Sequence, residues 1–199
     1  TARWLWSLYL ILTIACITAY HLGGMDMFDA INHGLSTVAT GGFSTHQASI
    51  AYYNSATIEY IAIAFMFLAS INFTLLYLFF IKLRFREVLK DAELRFFTCT
   101  VVLSTIFIAG TLIVAHEENF SGALRNALFN VVSISSTTGF TTSDFMMWHP
   151  CVWMVITMVG VMGACAGSTS GGLKSIRVLT AYKISLCEFR RTLHPKAVF

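Results

Sequence analysis

Two short stretches of the chain, "STVATGGFSTHQ" (residues 36–47) and "SISSTTGFTTSD" (residues 133–144), share a pattern of small, hydroxyl-bearing residues before a glycine and a phenylalanine. They align without a gap, and the match extends upstream. The matched pairs are Ala30 and Ala127, Ile31 and Leu128, Thr40 and Thr137, Gly42 and Gly139, Phe43 and Phe140, and Thr45 and Thr142. Because an apolar run lies on each side of each stretch, the sequence predicts two tandem copies of one unit.

The apolar runs are long enough to cross a lipid bilayer. The chain has 199 residues, of which 56% are hydrophobic and only 12% charged, and its mean hydropathy is +0.70. A soluble domain carries about 25% charged residues. Four apolar runs cover residues 4–20, 56–81, 96–115 and 151–167. Runs of about 20 apolar residues match the hydrocarbon core, so we predict an all-α integral membrane protein rather than a soluble protein with buried helices.

The charged residues divide between the two sides of this predicted membrane protein. Basic residues cluster before the first run, between the second and third runs, and in the tail: Arg3, Lys82, Arg84, Arg86, Lys90, Arg95, Lys183, Arg190, Arg191 and Lys196. The other two connections are mostly acidic and contain Asp26, Asp29, Glu117, Glu118, Asp144 and the single basic Arg125. The positive-inside rule places the basic segments in the cytoplasm. It also accounts for the net charge of +3 without a nucleic-acid partner.

Each outer connection has two parts. A short amphipathic run, residues 27–35 or 123–132, is predicted to be helical, with Asp26 and Ser121 as N-caps. A Ser/Thr/Gly stretch follows that cannot hold a regular helix. Irregular backbone at membrane depth is tolerated only where protein or water surrounds it, so we expect a helix that dips inward and an extended return. An exposed outer loop that carries glycans is the alternative, but the repeat favours the re-entrant arrangement.

The composition of the return stretch suits a dehydrated monovalent cation. Backbone carbonyl groups can replace the hydration shell of such an ion, and glycine permits the dihedral angles that turn successive carbonyl groups toward one axis. Threonine hydroxyl groups add oxygen atoms, and the phenylalanine is expected to wedge the stretch against the surrounding helices. Carboxylates are absent from the narrow part, which argues against a divalent-cation filter.

A glycine-rich segment, "GACAGSTSGG" (residues 163–172), interrupts the fourth apolar run. A phosphate-binding loop would need lysine where Leu173 stands, since Lys174 comes one position late. A nucleophilic Ser170 would need a base on a facing span, but the histidines lie near or outside the span ends. The remaining interpretation is a discontinuous membrane helix. Half-helices joined by glycine-rich backbone mark ion paths in transport proteins. The chain is therefore not expected to be an enzyme.

These motifs resemble those of the Trk/Ktr/HKT superfamily, and most closely its TrkH-type potassium-uptake subunits. The two Ser/Thr/Gly stretches resemble the family's filter segments, "GACAGSTSGGLKSIRVL" its glycine-rich loop, and "EFRRTLHPKAVF" the cytoplasmic segment that follows. The resemblance implies four span–pore–span repeats around one pore. This chain has two, which look like the second and third, and it begins with Thr1. We therefore expect a piece of a longer protein, although a two-repeat protein that dimerises is also conceivable.

The resemblance implies a role for each motif. The K⁺-binding filter residues would be Thr40, Gly41, Gly42, Phe43, Thr137, Thr138, Gly139 and Phe140. The gating loop beneath them would comprise Gly163, Ala164, Cys165, Ala166, Gly167, Ser168, Thr169, Ser170, Gly171 and Gly172. Lys174 and Arg177 would line an inner vestibule, or simply follow the inside-positive bias. Glu59 and Asn72, which are polar residues within a span, are further candidates, and Asn72 could instead make a helix–helix hydrogen bond.

The expected organisation follows from these assignments. Residues 1–86 form the first repeat, 87–95 a cytoplasmic linker, 96–187 the second repeat with its broken last helix, and 188–199 a cytoplasmic segment. The expected function is K⁺ uptake across the bacterial inner membrane by a multi-pass protein, with K⁺ as the transported ion and no covalent cofactor. The resemblance implies a homodimer and a cytosolic TrkA-like nucleotide-binding ring. The alternative is an ion-coupled secondary transporter with re-entrant loops, although such proteins often use inverted rather than direct repeats.

Overall fold

The computed structural model describes residues 2–116 and 119–193 of the chain. All regular structure in this part is helical, as expected from the apolar runs. Glu117, Glu118, Lys196 and the rest of residues 194–199 lie outside the described residues, so the predictions that fall on them are not addressed.

The first repeat contains two membrane-length elements with a short helix between them. Its helices are α1 (Ala2–Leu22), α2 (Met27–Val38), α3 (Ala56–Ser70) and α4 (Phe73–Phe80), and a 3₁₀ turn covers Ser49–Tyr53. Asp26 caps α2 as predicted, since its carboxylate accepts a hydrogen bond from the Phe28 amide at 3.4 Å. The helix runs three residues beyond the predicted end, so its C-terminus meets the Ser/Thr/Gly stretch directly.

The second membrane element of this repeat differs from the sequence prediction. Residues 56–81 read as one uninterrupted apolar run, but α3 and α4 meet at an angle of 108°. The break falls at Ile71 and Asn72. Asn72 is the N-cap of α4, and its side-chain oxygen accepts from the Thr74 amide at 2.8 Å. Within the described residues, the alternative of a helix–helix hydrogen bond for Asn72 is not found, because its side chain satisfies a free backbone donor of its own helix end.

The second repeat follows a short linker helix. Its elements are α5 (Phe85–Lys90) in the linker, then α6 (Ala92–His116), α7 (Phe120–Ser135), α8 (Pro150–Met162) and α9 (Ser175–Leu193), with a 3₁₀ turn at Phe145–Met147. The N-cap of α7 is Asn119 and not Ser121, which lies within the first turn. Helix α8 ends at Gly163, as the broken-helix prediction requires, and α9 continues without interruption across residue 188.

Helix packing brings the two repeats together around the short helices. Helix α1 packs on α2, α6 packs on α7, and α3 of the first repeat packs on α7 of the second. The largest fully buried side chains include Tyr20, Phe97, Phe129 and Phe140. Within the described residues, α1 and α6 are each long and apolar enough to cross a membrane, and α3 with α4 could form a third, bent span. Helix α2 also packs on α3, so both short helices, α2 and α7, contact the same membrane helix.

Candidate ion filter and the loop beneath it

The two Ser/Thr/Gly stretches adopt the same unusual backbone. Thr40 and Gly42 have φ angles of 52° and 70°, and the matched Thr137 and Gly139 have φ angles of 57° and 85°. Left-handed residues at every second position turn successive carbonyl groups away from the direction that ordinary extended backbone gives them. Glycine adopts this conformation readily, whereas threonine does so only under constraint from its surroundings. The repeat found in the sequence is therefore also a repeat of backbone conformation.

The two stretches touch at their glycines. A Cβ atom added to Gly42 would lie 1.9 Å from the carbonyl oxygen of Thr138, whereas one added to Gly139 would meet nothing within 4 Å. Nearer the outer end, the Ala51 amide donates to the Thr141 carbonyl oxygen at 3.3 Å. The two Ser/Thr/Gly stretches are thus packed side by side, and Gly42 is required at its position by space as well as by its φ angle.

The two phenylalanines of the filter stretches differ. Phe140 is buried, and its ring lies 5.8 Å from the ring of His33. Phe43 is 81% exposed on the described part of the chain. The expectation that each phenylalanine wedges its stretch against neighbouring helices is therefore met by Phe140 and wrong for Phe43, because the described residues leave no helix beside it. Gly41 and Thr138 lie between the left-handed residues of their stretches.

A buried histidine of α2 forms a hydrogen bond with the first Ser/Thr/Gly stretch. His33, in α2, is fully buried, and its Nδ1 lies 2.8 Å from the Asp29 carbonyl oxygen. Since that oxygen can only accept, Nδ1 carries the proton, and Nε2 accepts from the Ser44 hydroxyl group at 2.9 Å. In the second repeat, Asn130 occupies the matched position and donates to the Ser143 hydroxyl group at 3.3 Å. Helices α2 and α7 therefore each hold the later part of the Ser/Thr/Gly stretch that follows them through one buried side chain.

A polar cluster at the outer end of α2 binds residues 45–53, which follow the first Ser/Thr/Gly motif. The Asp29 carboxylate accepts hydrogen bonds from Tyr53 at 2.6 Å and from Thr45 at 2.7 Å. His46 lies 3.0 Å from the same carboxylate and stacks on the Tyr52 ring at 3.6 Å. The hydrogen bond from Tyr53, followed by that from Thr45, lowers the pKa of Asp29 to about 2. The sequence showed Asp29 only as one of several acidic residues in this connection.

The glycine-rich loop, residues 163–172, lies directly against the inner ends of both filter stretches. The Thr169 hydroxyl group donates to the Val38 carbonyl oxygen at 2.9 Å, and the Thr40 hydroxyl group donates to the Thr169 carbonyl oxygen at 3.0 Å. On the other repeat, the Gly171 amide donates to the Thr137 hydroxyl oxygen at 2.6 Å. The matched threonines Thr40 and Thr137 thus both bind this loop, and its gating role stays a prediction.

The loop is also tied to the bend in the first repeat. The Cys165 amide donates to the Ser70 carbonyl oxygen at 3.2 Å, and the Phe73 amide donates to the Gly167 carbonyl oxygen at 3.1 Å. These bonds satisfy the backbone groups that the α3–α4 break leaves free. The break and the loop therefore depend on each other. Ala164 and Cys165 are fully buried, while Ala166 and Ser168 lie in the same turn as Gly167.

The two ends of the loop pass within contact distance. A Cβ atom on Gly163 would lie 2.6 Å from the Gly171 carbonyl oxygen, and one on Gly172 would lie 2.9 Å from the Gly163 Cα atom. Beyond the loop, the Lys174 ammonium group donates to the carbonyl oxygen of Ser170 and lies 3.3 Å from its hydroxyl oxygen. Arg177 lies exposed in the first turn of α9. Lys174 therefore contacts the loop itself, whereas the inner-vestibule assignment of both residues stays a prediction.

Charged residues link the membrane helices near the site. Arg125 of α7 lies 2.7 Å from the carboxylate of Glu59 in α3, which joins the two repeats. The sequence signal was a lone carboxylate in an apolar run, but its partner could not be read from the sequence. Sequence reasoning missed Glu93 entirely. Its carboxylate, at the start of α6, accepts hydrogen bonds from the Ala166 and Ile176 amides at 2.6 and 3.2 Å.

Comparison with known proteins agrees with this architecture. A family model described as TrkH, cation transport protein, matches residues 1–199. The chain is 39% identical to the Trk system potassium uptake protein TrkH of Halomonas elongata and 39% identical to that of Escherichia coli strain K12; both matches cover 100% of this chain and 41% of the relative. The crystal structure of the potassium transporter TrkH from Vibrio parahaemolyticus matches with a TM-score of 0.95 at 41% identity, covering 100% of this chain and 43% of that one.

These comparisons and the tandem arrangement of short helices lead to one assignment. The chain spans about two fifths of the length of the relatives it matches. It is an integral membrane protein by its apolar helices and its fold. The chain belongs to the TrkH family of cation transport proteins.

Proposed function

We propose that this chain supplies two adjacent filter segments and the gate of a K⁺-uptake pore. The proposed filter comprises Thr40 to Phe43 and Thr137 to Phe140, and the proposed gate is the glycine-rich loop. The observation that carries the proposal is the matched left-handed backbone at Thr40 and Gly42 and at Thr137 and Gly139, with the two stretches in contact. Relatives named potassium uptake proteins support K⁺ as the transported ion.

The electrostatics of the site favour a monovalent cation. Helices α2 and α7 end immediately before the filter stretches, so the negative ends of their dipoles lie beside the proposed ion path. The residues Thr40 to Phe43 and Thr137 to Phe140 offer carbonyl and hydroxyl oxygen atoms and no carboxylate. Neutral oxygen atoms in a ring can replace the water shell of K⁺ without binding it too tightly to release.

The contacts of the loop support its proposed role as a barrier. It lies at the inner end of the filter and is held by hydrogen bonds to Val38, Thr40 and Thr137. Each of these bonds can be broken without unfolding a helix. Glycines at both ends allow the backbone to change conformation at small free-energy cost. A small displacement of α9 could therefore move the loop.

The family membership supports a proposal about the assembly around the pore. We propose that the protein containing this chain acts as a homodimer in the bacterial inner membrane, with a cytosolic TrkA-like nucleotide-binding ring as its regulator. The basic residues of α9, Lys183, Arg190 and Arg191, are exposed and offer a docking surface. Two filter segments cannot enclose an ion alone, so the proposed pore needs two more from the rest of the protein or from a second copy.

Complementation by the full-length protein tests the proposal. Expressed in cells that lack their own K⁺-uptake systems, it should restore growth at limiting K⁺, and purified protein in liposomes should take up ⁸⁶Rb⁺. A Gly139→Ser variant should reduce the preference for K⁺ over Na⁺ while retaining flux. Growth that is not restored, together with absent ⁸⁶Rb⁺ flux in correctly inserted protein, would contradict the proposal. Unchanged selectivity of Gly139→Ser would contradict the filter assignment alone.

A further inference from the structure

Glu93 binds the glycine-rich loop and the first turn of α9 at once. It lies in the first turn of α6, within the expected cytoplasmic linker (residues 87–95), and it is only 8% exposed. One of its carboxylate oxygens accepts from the Ala166 amide at 2.6 Å, inside the loop, and from the Ile176 amide at 3.2 Å, in the first turn of α9. A single side chain of α6 thus joins the loop to the helix that follows it.

The Glu93 carboxylate is the hydrogen-bond acceptor of both amides. Ile176 lies in the first turn of α9, where amide groups have no partner within the helix, and an anion there also interacts favourably with the helix dipole. Ala166 lies in a turn of the loop, and its amide donates to no other group within the described part of the chain. Hydrogen bonds to an ionised acceptor are about twice as strong as neutral ones. Moving the loop away from Glu93 therefore costs more than breaking its neutral contacts to the threonines.

The position of Glu93 connects the loop to the cytoplasmic linker. Asp91 caps α6, since its carboxylate accepts from the Leu94 amide at 2.8 Å, and this fixes the first turn that carries Glu93. Helix α5 (Phe85–Lys90) ends directly before that turn and is largely exposed. A displacement of the linker would therefore shift Glu93 relative to the loop.

We propose that Glu93 is a latch that holds the glycine-rich loop closed and releases it when the linker or α9 moves. Glu93 touches no residue of the filter stretches in the contacts described, so it acts by positioning the loop and not by binding the ion. The inference rests on the proposed gating role of the loop. It adds an acidic residue outside the loop whose loss favours the open state.

The test uses the full-length protein and two independent readouts. Cys165 lies in the loop and is fully buried, so its rate of labelling by N-ethylmaleimide reports loop opening once the other cysteines are replaced by alanine. Glu93→Gln keeps the shape of the side chain but removes its charge. We expect the labelling rate of Cys165 and the ⁸⁶Rb⁺ flux without activator each to rise by about tenfold, because the variant weakens two charge-assisted hydrogen bonds.

Glu87→Gln is the matched control. Glu87 lies in α5, is exposed, and pairs with Arg84 at 3.0 Å. Its loss of charge should leave labelling and basal flux at the wild-type level. If Glu93→Gln does not fold, as judged by size-exclusion chromatography, Glu93→Asp replaces it. The shorter side chain withdraws the oxygen from both amides and should raise labelling and flux in the same way.

The outcomes separate the latch from the proposed function. Wild-type labelling and wild-type basal flux in a folded Glu93 variant would overturn the latch. Faster labelling without extra flux would support the latch and contradict the loop as the barrier to ions. Faster labelling in a protein that never transports ⁸⁶Rb⁺ would leave the latch intact and contradict the proposed transport function.

Discussion

Gly42 packs so closely against Thr138 that a methyl group at Gly42 would lie 1.9 Å from the Thr138 carbonyl oxygen. The two residues belong to different repeats, so the contact fixes the spacing between the filter stretches. Its tightness explains why the first stretch needs glycine for its neighbour as well as for its own backbone. The matched Gly139 has only the backbone requirement within the described residues.

This asymmetry predicts different costs for the same substitution. Gly42→Ala should lower the thermal stability of the full-length protein and abolish the preference for K⁺ over Na⁺, because the added atom must displace the Thr138 carbonyl group. Gly139→Ala should cost only the strain of a left-handed alanine, about 1–2 kcal/mol. Thermal unfolding in detergent and paired K⁺ and Na⁺ flux assays measure both effects.

Gly122→Ala is the control for these two variants. Gly122 lies in α7 with nothing within 4 Å of its Cβ direction. Alanine is favoured over glycine within a helix by about 1 kcal/mol, so the variant should be as stable as the wild type or more so. Equal melting temperatures for Gly42→Ala and Gly139→Ala would show that the contact between the stretches does not constrain the filter.

The hydroxyl group of Thr169 is the clearest contact between the loop and the first repeat. It donates to the Val38 carbonyl oxygen at 2.9 Å and lies 3.3 Å from that of Ala69. Thr169→Val keeps the shape and removes the donor. Losing a hydrogen bond of about 1 kcal/mol should raise basal ⁸⁶Rb⁺ flux by about fivefold. Thr157→Val, which removes a bond within α8 to the Trp153 carbonyl oxygen, should leave basal flux unchanged. Equal flux in the two variants would contradict this assignment.

Much of this architecture could be predicted from the sequence because the signals are local. The repeat, the N-cap at Asp26, and the end of α8 at Gly163 each depend on residue types with a direct conformational preference. The bend between α3 and α4 could not be predicted in this way. The run contains neither glycine nor proline near Ser70, and the free backbone groups of the bend are satisfied by Cys165 and Gly167, distant in sequence.

The unusual backbone of the two stretches was predictable from their residue types, but the contacts that support it were not. Threonine has no tendency toward positive φ, so the left-handed Thr40 and Thr137 arise from the tertiary bonds that each makes to the loop. The role of Glu93 depends on which amides lie nearby after folding. Sequence patterns of small residues indicate where the backbone is unusual, but they do not identify the side chains that hold it there.

The cluster around Asp29 predicts a difference between two neighbouring tyrosines. Tyr53→Phe removes the 2.6 Å hydrogen bond to the Asp29 carboxylate, and bonds to charged groups contribute about 1.5–3 kcal/mol. Tyr52→Phe retains the ring that stacks on His46. We expect Tyr53→Phe to lower the melting temperature and weaken K⁺ selectivity, and Tyr52→Phe to change neither. A similar loss in both variants would assign the effect to the aromatic rings and not to the bond.

The same cluster predicts the pH dependence of the outer end of α2. Hydrogen bonds lower the pKa of Asp29 from its ordinary value of 3.8 to about 2. A lowered carboxyl pKa stabilises the folded state above the unfolded pKa, and this contribution disappears as pH falls through the folded value. The contribution of Asp29 should therefore be constant from pH 5 to pH 8 and decline only below about pH 4. Melting curves of the wild type and of Asp29→Asn should converge on acidification and stay parallel near neutrality.

The ion pair between Glu59 and Arg125 predicts coupling between the two repeats. The pair spans 2.7 Å, and the Glu59 side chain is only 10% exposed. Arg125→Gln leaves a buried carboxylate without its partner, a change that costs about 3–5 kcal/mol for fully buried pairs. The cost here should be smaller, since the Arg125 side chain is 32% exposed. Glu59→Gln in the same background removes the stranded charge and should recover part of the stability. A double-mutant cycle on melting temperature measures the coupling, and strictly additive losses would show that the two repeats are held together without this pair.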